Sequence, residues 1–384
     1  EALSGLSNIA PDLAENRPGC GSMSLEPGRF EELEVRFKGD VMTSRRIAVD
    51  AYTDEMEIGF DRGWSDGLPV IPPSEIRVMA MLRGTDRDPS EVIGNVPPNL
   101  SPCTVEKVAI NAVMAGCKPE YLPVVLAAVE TALVDQFCMH GLLATTWFSG
   151  PVAIVSGPIT KAIGMNWAEN ALGQGNRANS TIGRALQLVI RNVGGGKPGE
   201  LDRSTLGSPG KLGFSFAEDE TDDFWPTVAM DQGAERQRSS ITLFAGDGVH
   251  GVFDQKSRNP ESLARSFAEP LKTVGHAKSV MASDALLVIG PEHYRVFKQA
   301  GWSKDRLREE LEKLLVRPGT ELIIGAGGID EGLPTTLKDK MLPKFRPGGL
   351  LIARAGGEAG MFSAIIGGWG ATGKMGSVPT TGQI

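Results

Sequence analysis

At 384 residues the chain is long enough for one large α/β domain or two packed ones. A net charge of −8 with no lysine- or arginine-rich face argues against a nucleic-acid binder. No run approaches the roughly 18 uninterrupted apolar residues of a membrane span. Cys20, Cys103, Cys117 and Cys138 include no CxxC pair, which argues against a disulfide scaffold or a structural zinc site.

Taken in order, residues 1–45 carry Pro, Gly and charge with little periodicity and are expected to be weakly structured. A first α/β region is expected over 46–238 and a second, with a loop-rich tail, over 239–384. The first residues show no basic stretch leading into an apolar core, so a reducing cytoplasm is the expected compartment. An acidic helix is expected to end at Arg62-Gly63-Trp64. Leu68 to Ile71 follows as a short strand stopped by Pro72-Pro73, and Ser74 as a helix cap.

Ser101-Pro102 is expected to open a helix with Val105, Val108, Ala109, Ala112 and Val113 on one face and Gly116 as its stop. A second helix after Pro119 carries Leu122, Leu126, Val129 and Leu133. The pair reads as an αα-hairpin with Cys117 at its tip.

The stretch from Gly157 to Gly196 organises the middle of the chain. It leaves an apolar run, Val152 to Val155, and crosses a loop rich in Gly and Asn. It then enters a helix with Ile182, Ala185, Leu186, Val189, Ile190 and Val193 on one face. A strand, a polar loop and a helix N-terminus make a natural anion site, because free N–H groups and the helix dipole point at the ligand. The loop Gly173–Ser180 fits neither the dinucleotide fingerprint nor the phosphate-binding P-loop. Gly175, Asn176, Arg177, Asn179 and Ser180 are the expected substrate-binding residues, with Ser180 as cap and Arg177 as a forked cation. A structural loop with an ordinary cap is the competing reading.

Residues 202–238 look irregular, with a solvated acidic face from Glu218 to Asp223. Ile241 to Ala245 is expected as a strand running into the loop Gly246–Gly251. Helix, strand (Ala285–Ile289), helix, and a charged helix capped by Ser303 follow. Further strands are expected at Glu321–Ile324 and Leu350–Ala353, and the tail from Gly367 reads mostly as loop. Val152 to Pro158 echoes Leu286 to Pro291: each is an apolar strand, Gly-Pro, a short helix and a Gly turn. The echo favours an α/β fold of strand–loop–helix units with Gly-rich loops at strand ends, by duplication or by chance.

Histidine is scarce, and His140, His250 and His293 each sit beside a glycine-containing turn, where imidazole serves as acid, base or metal ligand. No HxH or HExxH spacing occurs, so a divalent metal would need distant residues to converge. Asp66 and Glu292 are loop carboxylates at strand ends, either general bases or turn residues. Cys117 is a nucleophile if a helix N-terminus lowers its pKa, and otherwise a small buried residue closing a turn.

The strings SDGLPVIPP, TVEKVAINAVMAGCKPEYLPVVLAAVE, NSTIGRALQLVIRNVGGGKPGE and GPEHYRVFKQAGWSK resemble a largely uncharacterised bacterial family, over residues 55 to 315 and the tail. Some of its members are linked to UGSC-motif (seleno)proteins. Cys20-Gly21-Ser22-Met23 matches a cysteine form of that motif at three of four positions. Met23 replaces the second thiol, which excludes a two-thiol cycle there. The resemblance carries over no activity and no catalytic residue.

The functional expectation is a cytoplasmic enzyme, a hydrolase or lyase/hydratase, acting on a small polar or anionic substrate with histidine acid–base groups. The alternatives are a thiol-dependent oxidoreductase using Cys117 or Cys20, and a non-catalytic ligand-binding or partner subunit. A homo-oligomer or a partner complex is expected, with neither nucleic acid nor membrane as partner.

Overall fold

The computed structural model describes residues 42–50, 52–323, 325–329, 331, 333–370 and 376–384. Most of the expected weakly structured segment, and Cys20 with it, lies outside the described residues.

A seven-stranded mixed sheet organises an α/β fold. Its strands are β3 (Gly150–Ser156), β4 (Phe214–Ala217), β5 (Ser240–Phe253), β6 (Ala285–Ile289), β9 (Leu350–Arg354), β10 (Phe362–Gly368) and β11 (Thr380–Gln383). Strands β1 (Val92–Val96) and β2 (Ser101–Thr104) form a separate hairpin, and β7 (Val316–Pro318) pairs with β8 (Met341–Pro343). The order in the sheet is β4-β3-β5-β10-β6-β9, with β11 continuing the line of β10 along the first residues of β5.

Side-chain alternation shows the sheet to be curled. Val152 and Ile154 of β3, Phe214 and Phe216 of β4, Leu286 and Val288 of β6, and Leu351 and Ala353 of β9 share one inner cluster. The alternate residues point outward into two other clusters. Ala153 and Val155 face the helices of the first half, while Leu287, Ile289 and Ile352 face those of the second.

The edges β4 and β9 meet in a clasp, where Asp219 N–H donates to Arg354 O at 2.7 Å. The Arg354 guanidinium, 4% exposed, donates to Asp219 at 2.7 Å and Asp222 at 3.0 Å, and lies 3.8 Å from the Tyr294 ring centre. Tyr294 donates its hydroxyl to Asp222 in turn. The acidic stretch from Glu218 is therefore not a wholly solvated face. Asp219 and Asp222 are clasp residues, and Glu218 is buried, its Oε2 accepting the Val228 N–H at 2.8 Å.

The two halves of the sheet repeat one pairing pattern. β3 has β4 parallel on one side and β5 antiparallel on the other; β6 has β9 parallel and β10 antiparallel. The echoing sequences occupy matching places, each followed by a helix that ends at a left-handed glycine, Gly164 or Gly301. One sheet spans both expected regions, since β5 pairs with β3 across residue 238.

Helices α1 (Glu55–Asp61) and α2 (Glu75–Leu82) precede α3 (Val105–Ala115) and α4 (Leu122–Leu133), the expected αα-hairpin. α5 (Met139–Ala144) and α6 (Ile159–Ala162) lead to α7 (Arg177–Asn192). α8 (Val228–Asp231), α9 (Pro260–Lys272), α10 (Pro291–Gln299), α11 (Lys304–Leu314) and α12 (Gly319–Ile323) complete the set. The stripe expected on α7 is its buried face, apart from Val193 just beyond its end. α7 crosses β4 so closely that a Cβ on Gly183 would lie 2.6 Å from the Phe214 nitrogen. Among the described residues no single helix is long and apolar enough to cross a membrane.

Several expected elements differ. Ser101–Thr104 is a strand, and α3 starts at Val105 under a Thr104 cap. Leu68–Ile71 is an extended loop, with Ile71 N–H donating to Met114 O. The glycines after Ala245 do not end the strand, because β10 pairs with Gly246 and, past an irregularity at Asp247-Gly248, with Val249 to Phe253. Residues 202–238 contain β4 and α8, and Glu321–Ile323 is helical; the tail from Gly367 carries the end of β10 and all of β11 between its loops.

Candidate functional site

Helix α7 has a cavity at each end. The one at its head is an open cleft of about 530 Å³, with Lys161, Asn166, Trp167, Glu169, Gly175 and Asn176 on its wall. Of the five expected anion-binding residues, Gly175 and Asn176 line it. The cap is Asn176, not Ser180: its side chain accepts the Asn179 N–H at 3.0 Å and donates to Gly164 O. Asn179 is buried and donates to Asn166 O and Ala171 O, so its amide fastens the loop. Arg177 turns away and donates from Nε to Gly116 O at 2.8 Å. Ser180 is exposed.

At the tail of α7 lies a pocket of about 850 Å³, more enclosed and built from segments distant in sequence. Its floor is apolar, with Val70 and Val78 buried and Trp64, Ile110, Met114 and Val193 alongside. An amide pair adds polarity: Asn192 Nδ2 donates to Asn111 Oδ1 at 2.9 Å and to Trp64 O at 3.1 Å. Residues 42–49 form the outer wall.

One wall of this pocket is the loop after α1, Trp64 to Pro73, and its rigidity has a clear source. Asp66 accepts a forked pair from Arg184 of α7, with Nε–Oδ2 at 2.7 Å and Nη2–Oδ1 at 2.8 Å. The same guanidinium donates to Leu68 O and Pro69 O, and Ser65 Oγ donates to Leu68 O. Asp66 thus orients a pocket wall, with both oxygens engaged by a cation.

Glu106, in the first turn of α3, is the pocket's buried carboxylate, 1% exposed. It accepts the Thr43 N–H at 2.9 Å, the Thr43 hydroxyl at 3.0 Å and the Ser44 N–H at 3.0 Å. Burial pushes its carboxyl up, but these hydrogen bonds outweigh burial and hold it below its ordinary value. Among the described residues no cation pairs with Glu106. Its role was not anticipated; the available signal is a carboxylate beside the apolar stripe of α3.

The three histidines do not converge. His140 is exposed on α5, and His250 is exposed on β5 opposite Ile365 of β10. His293 is fully buried in α10, edge-on to Phe267. Its Nε2 lies 3.1 Å from Asp254 O, so that nitrogen carries the proton, and Nδ1 accepts from Ser363 Oγ at 2.8 Å. Burial holds its pKa below the ordinary value. Glu292 accepts the Met361 N–H at 2.6 Å.

Cys117 closes the turn between α3 and α4, its thiol 3.4 Å from Thr181 O and pushed up to about 12 by burial. It stays protonated near neutral pH. Cys103 lies in β2, and burial raises its thiol likewise. Among the described residues no group of three or more His, Cys, Asp or Glu side chains is placed to hold a metal ion.

Compared with known proteins, the chain matches no family model and no curated sequence.

Proposed function

We propose that the protein is a small-molecule-binding protein whose ligand occupies the pocket at the tail of α7. The observation that carries this reading is the convergence on that cavity of segments distant in sequence: residues 42–49, α1, the Trp64–Pro73 loop, α2, α3 and the end of α7. About 850 Å³ falls in the range of ligand sites, roughly 300–1,000 Å³, and the apolar floor lies under polar walls that carry Arg45, Arg46, Glu55, Glu75, Glu106 and Lys107. The ligand has a mainly apolar body, with the Asn111–Asn192 pair offering hydrogen bonds at one end. This reading is the ligand-binding one of the three expected functions, and His140, His250 and His293 lie outside the pocket lining.

Nile red, an uncharged fluorescent dye, is the test. Saturable binding at one dye per chain is expected, and Ile110→Trp, which fills the cavity, is expected to abolish it in a folded protein. No saturable binding, or full binding by the Trp variant, would refute the reading.

A second reading, a polar or anionic substrate in the cleft at the head of α7, is favoured by Lys161, Gly175 and Asn176 on its wall. It predicts phosphate binding that Lys161→Gln weakens several-fold; calorimetry showing no heat, or the same affinity in the variant, would dismiss it.

A further inference from the structure

Residues 42–50 have no regular secondary structure and are mostly exposed, yet they cover the pocket at the tail of α7. Two N–H donors and one hydroxyl, from Thr43 and Ser44, meet the two oxygens of Glu106. Met42 packs on the core and Arg46 pairs with Glu75 on either side of that contact. A segment held this way opens at far lower cost than the helices beneath it. Lifting it would strip the Glu106 carboxylate of its three donors at the edge of the pocket, and a new donor that replaces them would lower the cost of opening.

We infer that Glu106 is the recognition point of the pocket for a ligand with an apolar body and a flat, two-pronged cationic head, an amidinium or guanidinium. Residues 42–50 occupy that point in cis and must yield it. Two parallel N–H donors from such a head match a carboxylate and reproduce what Thr43 and Ser44 supply. The apolar body then rests on Trp64, Val70, Val78 and Ile110. This rests on the pocket proposed above and adds the chemical class of its ligand and the segment that competes with it.

Benzamidine is the probe, with the full chain in two variants whose effects have opposite signs. Thr43→Pro removes a donor N–H and the hydroxyl from the covering segment and leaves Glu106 intact. Benzamidine is expected to bind it about tenfold more tightly than the wild type, because the internal competitor is weakened. Glu106→Gln frees the same segment but lacks the anionic acceptor, and is expected to bind at least about tenfold more weakly. Both variants should speed amide hydrogen exchange at Ser44, and in the wild-type protein saturating benzamidine itself should speed it at Thr43 and Ser44. That last measurement stands even where a variant fails to fold. Affinities that shift in the same direction in both variants, or Ser44 still protected with benzamidine bound, would overturn the inference. Nile red taken up normally while benzamidine ignores Glu106 refutes the ligand class alone; a wild-type protein that binds neither refutes the pocket.

Discussion

Replacing Arg184 by Met should loosen the wall of the pocket, and the expected size follows from its contacts. The pair Arg184–Asp66 is well shielded, with side chains 14% and 10% exposed, and the guanidinium makes four hydrogen bonds. Removing it leaves a mostly buried carboxylate and two loop carbonyls without their donor. Breaking a pair of this kind costs about 3 kcal/mol, at the low end for buried pairs because some solvent remains. Asp66→Asn keeps the shape and one acceptor and should cost about 1.5 kcal/mol. Since both remove the same contact, a double-mutant cycle should show a coupling of about 1.5 kcal/mol. Urea unfolding of the four proteins measures this, and Nile red affinity should fall several-fold in Arg184→Met. Additive effects within about 0.3 kcal/mol would refute a structural role for the pair. They would return Asp66 to the general-base role that its position invites.

Arg354→Met should cost about 3 kcal/mol, since it strands Asp219 at the closure of the sheet, while Asp222 keeps Tyr294 and Lys298; a melting temperature unchanged within about 1 °C would contradict the clasp. His293 is held neutral, so its folded pKa lies below the unfolded value of about 6.5. The unfolded chain then binds more protons in that window, and stability present above about pH 6.5 is lost as pH falls towards the folded pKa. Urea midpoints from pH 7.5 to 5 should drop more steeply for the wild type than for His293→Gln; equal slopes would count against this account. Cys117 should resist iodoacetamide at pH 7.5 until denaturant is added, read by peptide mass spectrometry, and rapid native labelling would expose a reactive thiol.

The α/β class, α7 with its buried stripe, the αα-hairpin and strands β3, β6 and β9 were legible because period and caps agree with burial there. β10 and β11 were hidden. Glycines at Gly367 and Gly368 read as loop, while the long partner β5 stabilises a strand that local sequence does not announce. β2 was hidden for a related reason: Ser-Pro resembles a helix start, yet pairing with β1 draws it into a hairpin. The acidic run from Glu218 looked solvated because its partner, Arg354, is more than a hundred residues away. Glycine and histidine marked loops and candidate chemistry one by one, but the enclosed pocket depends on Glu106, Asn111 and Asn192 meeting segments from elsewhere in the chain. Only the Asp66 loop pointed to it.

Hydrogen–deuterium exchange with and without saturating Nile red tests the ligand pocket most directly. Protection is expected in the Trp64–Pro73 loop, in α3 around Ile110 and Met114, and at Asn192 and Val193. Protection confined to the head of α7, from Lys161 to Asn176, would contradict it.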